Sequence, residues 1–583
     1  MKRAAVIALL LLPLLLQGQV LLHIPADKLD APVLFGSRIV DVNQSWGKVF
    51  APGQRNAFPQ MMHFHLDSAG HVALVPDELR PHREEGRGRG RGKRLEHVRP
   101  LHFPLVERAA DGSLTVDAGE YFSSYPAQVS AIPPKMLEKE VQLSGEVLSV
   151  SETPEYLQVT GKYLYASGLE VTAACYFLFL PQELMPAKRV TGYNSAERSP
   201  RGDSPSQRWN LARRPEIDFY VDKAFPEAWF PYIKEGVEDW NRAFEAAGLG
   251  PVLQALPEPD SLDRHSPLVN MVRYMDVEEA NAKGDVLCDP RSGEILQGDI
   301  LWWKNVVDLN VLWRYAQTGA ADPAARLEEY PLEVLGPMIR YAVCHEMGHV
   351  LGLGHNMGAS WSYPTDSLRS PSFTREHGTT ASVMDYARYN HLATAEDVAA
   401  GVKLLPPRLG PYDYYVIACG YGATEAEPGE YCYYAPPVSA AISPDPSAQA
   451  ETLGNDLLAS SAAGLRNCRA LLALDGLTDE RIKFLKKQYY RYIWLSLSNF
   501  GGSVQGVAVP WEEYEKTFAF VLEGLLEVPE ALKDPVQAQR ILDELWGNFL
   551  PERVYIALGE KAFKRYERKV NILKKKYNKS VGL

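Results

Sequence analysis

Between about residues 20 and 185, apolar and polar positions alternate over short runs that end at Gly, Pro or Asp. A period of two puts successive side chains on opposite faces of a strand, so this region is predicted to be β-rich. Its clearest strands are KEVQLSGEVLSVS, EYLQVTGKYLYAS and LEVTAACYFLFLP. After a polar stretch at 192–210 the pattern becomes mixed. EIDFYVD (216–222) and LVNMVRYMD (268–276) predict strands, and GDVLCDPRSGEILQGDILWW (284–303) predicts two strands around a turn at 289–293. In PEAWFPYIKEGVEDWNRAFEAAGL (226–249), Ile233, Val237, Trp240, Phe244 and Ala247 recur at helical spacing, and Gly248 supplies the stop. A second long helix is expected over roughly 332–351. Beyond a Pro/Ser/Ala-rich stretch at 435–451 the chain reads as helical, with Ile482, Leu485, Tyr489 and Ile493 on one face.

The fold class that follows is α+β. A β-rich N-terminal domain (19–190) leads through a linker (191–210) to a mixed domain (211–435) and a helical C-terminal region (436–583). With 583 residues, 46% of them hydrophobic, the chain has material for several cores. Its formal charge of -12 speaks against a nucleic-acid partner, whose phosphates need Lys and Arg. Six cysteines without a CxxC spacing suit neither a disulfide scaffold nor a cysteine zinc site.

The first residues, MKRAAVIALLLLPLLLQGQV, join Lys2 and Arg3 to an apolar run at 4–16. That run is shorter than the roughly 20 residues of a membrane span, so 1–18 reads as a signal peptide. The mature protein is expected to be exported, periplasmic or extracellular, with no transmembrane segment. REEGRGRGRGKR (83–94) alternates Gly with Arg and reads as a solvated mobile loop, the rival reading being a polyanion-binding or processing loop. Arg201-Gly202-Asp203 in the polar stretch is a tripeptide that can act as an adhesion ligand. The lysine-rich end, KRYERKVNILKKKYNK, reads as a solvated helix.

The chemistry concentrates in CHEMGHVLGLGHNM (344–357). On a helix, His345 and His349 project from one face a turn apart and can hold one zinc ion. Glu346, beside the first of them, can reach a metal-bound water and serve as general base and then general acid. A catalytic zinc needs a third protein ligand and one open position. A helix that simply continued would carry position 355 away from the metal. Gly352 can take a positive φ and end the helix in a sharp turn, Gly354 adds freedom, and His355 can then double back as the third ligand. Cys344, facing another way, reads as core filling. His63 and His65 in MMHFHLD share a strand face, where a second metal or an ordinary exposed strand are the two readings.

With HExxHxxGxxH complete, the chain resembles the metzincin zinc peptidases. The resemblance implies a methionine in a tight turn beneath the metal, and SVMDYARYN supplies Met384, 29 residues after His355. A nearer resemblance is to a bacterial family of exported zinc-dependent metalloproteases built around a domain called Met-zincin. Its carriers are IDFYVDKAFPEAWFPYIKEGVEDWNRAFEAAGL, DPRSGEILQGDILWW, HEMGHVLGLGHNMGAS, SVMDYARYN and GPYDYYVIACGYG, with LGNDLLASSAAGLRN beyond them. The resemblance implies a metzincin-like catalytic domain in two parts, with a mixed sheet, an active-site helix and a Met-turn. An edge strand along its cleft would bind substrate backbone by strand addition. GEILQGDILWW (293–303) is the candidate for that strand, although its apolar run also suits a buried one.

These observations predict an exported zinc endopeptidase acting on protein or peptide. One zinc ion per chain would be held by His345, His349 and His355, with Glu346 as base and Met384 as the packed floor. Tyr386 is expected to donate a hydrogen bond to the oxyanion, as its place implies in some metzincins. Two rivals stand beside this reading: a zinc-retaining adhesion protein without turnover, and a zinc hydrolase of a non-protein amide.

Overall fold

The computed structural model describes residues 19–43, 49–76 apart from 57–58 and 69, 100–196, and 204–545 apart from short stretches at 406–408, 423–425, 438–442, 444, 475–476, 502 and 505–506, with scattered residues after 559. It has the expected mixed α+β class, with a β-rich N-terminal region and a helical C-terminal region. Two compact units divide it. One holds the chain to Leu184 with Asp263–Val269 and Met275–Glu279, and the other holds the rest. Among the described residues no helix is long and apolar enough to cross a membrane.

The first unit is an antiparallel nine-stranded sheet. Its strands are β1 (Leu21–Ile24), β2 (Pro32–Val42), β3 (Gln60–Leu66), β4 (His71–Pro76), β5 (Leu101–Arg108), β6 (Leu114–Asp117), β7 (Gln142–Glu152), β8 (Tyr156–Tyr165) and β9 (Glu170–Phe179). They lie in the order β1-β6-β5-β4-β3-β2-β9-β8-β7. The ends of this order meet through Glu152, which accepts from the backbone N–H of His23 at 2.9 Å and lies 2.9 Å from its Nδ1. Alternation buries one face: Val33, Phe35, Phe64, Leu74, Val116 and Phe177 are fully enclosed. The three clearest strand segments of the sequence are β7, β8 and β9.

The second unit is built on a mixed sheet of β10 (Arg208–Trp209), β11 (Ile217–Val221), β12 (Leu253–Pro257), β13 (Met271–Met275), β14 (Ala282–Cys288) and β15 (Glu294–Trp303). The order is β10-β15-β13-β11-β12, and β14 pairs antiparallel with β15 alone. This corrects the expectation for GEILQGDILWW. That segment is β15, an interior strand buried from Glu294 to Trp302, and the edge strand is β14. The reason is legible in hindsight. Apolar residues on both faces of β15 suit a strand covered on both sides, whereas Lys283 and Asp285 suit an edge.

The long helix expected at 226–249 forms as a single turn, Glu227–Trp229, then Phe230–Glu238 and Asn241–Ala246. At the break, the N–H groups of Arg242 and Ala243 donate three residues back, to Asp239 and Trp240. The side chains of those two residues are engaged elsewhere. The Asp239 carboxylate holds Arg340 at 2.7 Å, and the Trp240 indole donates to the Cys344 carbonyl at 2.8 Å. The helix ends as expected at Gly248, with φ +80°.

Residues beyond 451 belong to the same unit. Leu485, Tyr489 and Ile493 of the helix Asp479–Ser496 are fully buried, with Ile482 half-buried. They share a core with Trp313, Tyr315 and Ala316 of the helix Val306–Thr318 and with Met338. A chain ended at residue 435 would expose that face of the helix Val306–Thr318. It is expected to aggregate on size-exclusion chromatography under conditions in which the full chain elutes as a discrete species.

Candidate metal centre

The motif lies on the helix Leu332–Val350. His345 and His349 stand one turn apart on it, and Gly348 between them leaves room for the buried Met384. A Cβ at 348 would lie 2.2 Å from Met384 Sδ. Cys344 is enclosed in the core, as its position suggested.

The helix stops in a turn with two hydrogen bonds. The N–H of Gly352 donates to the His349 carbonyl, and that of Leu353 to the Gly348 carbonyl, each at 2.9 Å. This pairing needs a left-handed residue just past the helix. Gly352 supplies it with φ +93°. Even a Cβ would not fit there, since it would lie 2.0 Å from the Gln207 carbonyl oxygen. Gly354, expected to share the turning, does not take a left-handed φ, so one glycine makes the turn. The returning chain is then held by 192–194. Leu353 bridges Tyr193. The Asn194 N–H donates to Gly352 at 2.7 Å, and the Gly354 N–H donates to Gly192 at 2.8 Å.

Three imidazoles converge as a result. Nδ1 of His345 lies 2.7 Å from the Val383 carbonyl oxygen, and Nδ1 of His349 lies 2.8 Å from that of Leu353. A carbonyl can only accept, so both rings carry their proton on Nδ1 and turn a bare Nε2 lone pair inward. Nε2 of His355 lies 3.3 Å from Nε2 of His345 and 3.1 Å from Nε2 of His349. One N–H on His355 could answer one of those lone pairs, whereas a cation answers all three. Tetrahedral zinc, with bonds of about 2.0–2.1 Å, spaces its nitrogen ligands about 3.3–3.4 Å apart, so the donor set fits that ion. Among the described residues this trio is the one group placed to hold a metal.

Burial keeps the rings neutral, which is the ligand form. It lowers the pKa of His345 well below the ordinary value, helped by the other two histidines. It lowers that of His349 too. Burial, then His349 and Arg388, brings His355 down to about 3.

A second segment closes the site from below. Asp413 accepts from the Val383 N–H at 2.8 Å, the Ser382 hydroxyl at 2.6 Å and the Gly410 N–H at 2.8 Å. Burial raises the Asp413 carboxyl to about 6 while these donors pull it down. The turn so held presents Val383 to His345 and Met384 to Gly348. The Met384 carbonyl accepts from the Asn356 N–H at 3.0 Å, which ties the turn to the residue after His355. The ring of Tyr386 stands 4.5 Å from the His355 ring and 5.6 Å from the His345 ring.

Residues 328–502 match the family described as Met-zincin. The chain carries a metzincin-type domain. No curated protein and no solved structure matches the chain.

In this metzincin-type domain, Glu346 meets the edge strand. Its Oε2 accepts the Gly284 N–H at 2.7 Å. The strand can approach because Gly284 has no side chain. A Cβ would lie 2.5 Å from the Glu346 carbonyl oxygen and 2.6 Å from His349 Cβ. Burial pushes the Glu346 carboxyl up to about 7, against the Gly284 amide and Lys283.

All seven residues singled out in the sequence, His345, Glu346, His349, Gly352, His355, Met384 and Tyr386, come together here. Five features escaped that reading: Gly284, Gly348, Asp413, the strap at 192–194, and Arg388. Asp413 carried a signal, since an acidic residue three after Gly410 at a helix start marks a cap. Gly284 carried none, because its partner lies 62 residues away. His65 pairs with Asp30 at 2.8 Å on an exposed part of β3, and among the described residues neither it nor His63 belongs to a group of three metal-ligating side chains. The signal segment 1–18, the Gly/Arg repeat 83–94 and Arg201–Asp203 lie outside the described residues.

Gly352→Val forces a branched side chain into a left-handed φ and against Gln207. Zinc affinity, measured by chelator competition, is expected to fall although all three ligands remain. Parent-like affinity in a folded variant would contradict the turn.

Proposed function

We propose that the protein is an exported zinc endopeptidase. The observation that carries this reading is the convergence of three Nε2 lone pairs, two of them aimed by backbone carbonyls, beside a carboxylate braced on an edge strand. His345, His349 and His355 would hold one zinc ion per chain, which when bound polarises a carbonyl and acidifies a water. Glu346 takes the proton of the attacking water and later delivers it to the leaving amine. The Gly284 amide keeps that carboxylate in place. Tyr386 donates its hydroxyl to the oxyanion, where charge develops in the transition state. Met384 packs under the ligands and bonds to nothing in the reaction.

The substrate is a protein or peptide. Its extended backbone adds to the outer edge of β14, the strand with β15 as its sole partner in the sheet. Residues 211–435 form the body of the catalytic domain on this reading, behind the β-rich 19–190, and the stretch 191–210 between them supplies the strap at 192–194 and β10. The apolar run at 4–16 behind Lys2 and Arg3 supports export.

Three measurements test this. The purified protein is expected to hold about one zinc per chain and to lose peptide hydrolysis on chelation. Full activity in a metal-free preparation would rule the mechanism out. Glu346→Ala is expected to keep its zinc and lose about 10²–10⁴-fold in kcat, while His349→Ala loses both metal and activity. Parent-like cleavage by Glu346→Ala would assign the base elsewhere. Tyr386→Phe is expected to cost at least about tenfold in kcat with KM and zinc content unchanged.

A further inference from the structure

Arg388 lies two residues past Tyr386 and has φ +51°, a left-handed backbone that a non-glycine residue seldom adopts. Its guanidinium is sandwiched between two rings, 4.3 Å from the centroid of Trp313 and 5.1 Å from that of Tyr386. On its other side the Tyr386 ring meets the His355 ring edge-on, with centroids 4.5 Å apart and planes at 61°. One nitrogen of Arg388 lies 3.6 Å from Oε1 of Glu451. The other oxygen of Glu451 takes Arg491 Nε at 3.2 Å. Glu451 is itself left-handed, with φ +68°. Two of the four non-glycine residues with such a φ among the described residues therefore face each other as an ion pair beside the metal centre. Uncommon backbone of this kind persists where surrounding contacts over-determine it.

We propose that Arg388 is a positioning residue for Tyr386, and that it is clamped by Glu451, in the turn before the C-terminal helices, with Arg491 on one of those helices behind it. The inference rests on the catalytic reading of Tyr386 given above. A planar guanidinium between two rings fixes the tilt of the outer ring, which an ammonium on a flexible stem does not. Trp313 is the fixed wall. It sits in the core shared by the helix Val306–Thr318 and the helix Asp479–Ser496, which bears Arg491. The helices after residue 451 thus reach the active site through a chain of named contacts: Arg491, Glu451, Arg388, Tyr386, His355.

The test is a double-mutant cycle on the full-length, zinc-loaded protein. Arg388→Met is expected to lower kcat about fivefold with KM and zinc content unchanged, the size of one sandwiched cation–ring contact. In a Tyr386→Phe background the same change is expected to cost less than about twofold, because a positioning residue has nothing left to position. Glu451→Gln, which keeps the shape and removes the charge, is expected to move kcat in the same direction and serves if Arg388→Met does not fold. Independently of turnover, hydrogen exchange of amides 385–390 is expected to quicken in both single variants. Equal losses in the two backgrounds, or no loss from Arg388→Met or Glu451→Gln, would overturn the inference while leaving the reading of Tyr386 intact. A Tyr386→Phe enzyme with the parent's kcat would overturn both.

Discussion

One left-handed residue decides whether the three histidines of the candidate metal centre meet. A helix can present two histidines on one face, but it carries every later residue away along its axis. The turn at Gly352 stops the helix with two of its own hydrogen bonds, and the chain returns within three residues so that His355 meets the other two rings. The rest of the site is arranged around that reversal. Gly192 and Asn194 hydrogen-bond the returning strand, Gln207 fills the space a side chain would need, and Leu353 offers the carbonyl that orients His349.

The carbonyls aimed at the two Nδ1 atoms have a consequence larger than their number. They choose the tautomer of each ring, and so leave Nε2 as a pure acceptor where a cation belongs. Each comes from a segment held in turn by something else. Val383 is held by Asp413 at the start of the helix Pro411–Tyr421. Leu353 is held by its bridge to Tyr193. The ligand geometry is therefore carried by backbone, which is harder to displace than side chains, and the buried Met384 fills the volume between these segments.

The position of the C-terminal helices gives them a part in the site. Their core takes in the helix Val306–Thr318, whose Trp313 flanks Arg388. The Met-zincin match, which runs from 328 to 502, also crosses the Pro/Ser/Ala-rich stretch at 435–451. On the edge-strand side, Gly284 brings the β14 backbone against the motif helix and lends an amide to Glu346. Both features join residues distant in sequence, and both act on a side chain next to the three histidines.

The sequence by itself determined the candidate ligands, the carboxylate beside them and the local elements that bear them. HExxH on a helix, a glycine where that helix must end, a third histidine and a methionine turn are all short-range patterns, and each formed where its spacing said. The β-rich first unit was legible for the same reason, since β7, β8 and β9 are short β-type runs bounded by turn residues. What the tertiary structure alone decided were relations between distant segments. It made β14 the edge strand and β15 an interior one, because pairing partners leave no mark on the strand's own residues beyond its burial pattern. It broke the helix at Asp239, whose carboxylate is drawn to Arg340 about a hundred residues on. It also brought Gly284 and Glu451 to a site where composition and spacing offered no sign of them. A hydrogen bond or a close approach between residues far apart in the chain depends on the packing of everything between them, and no periodicity in either segment records it.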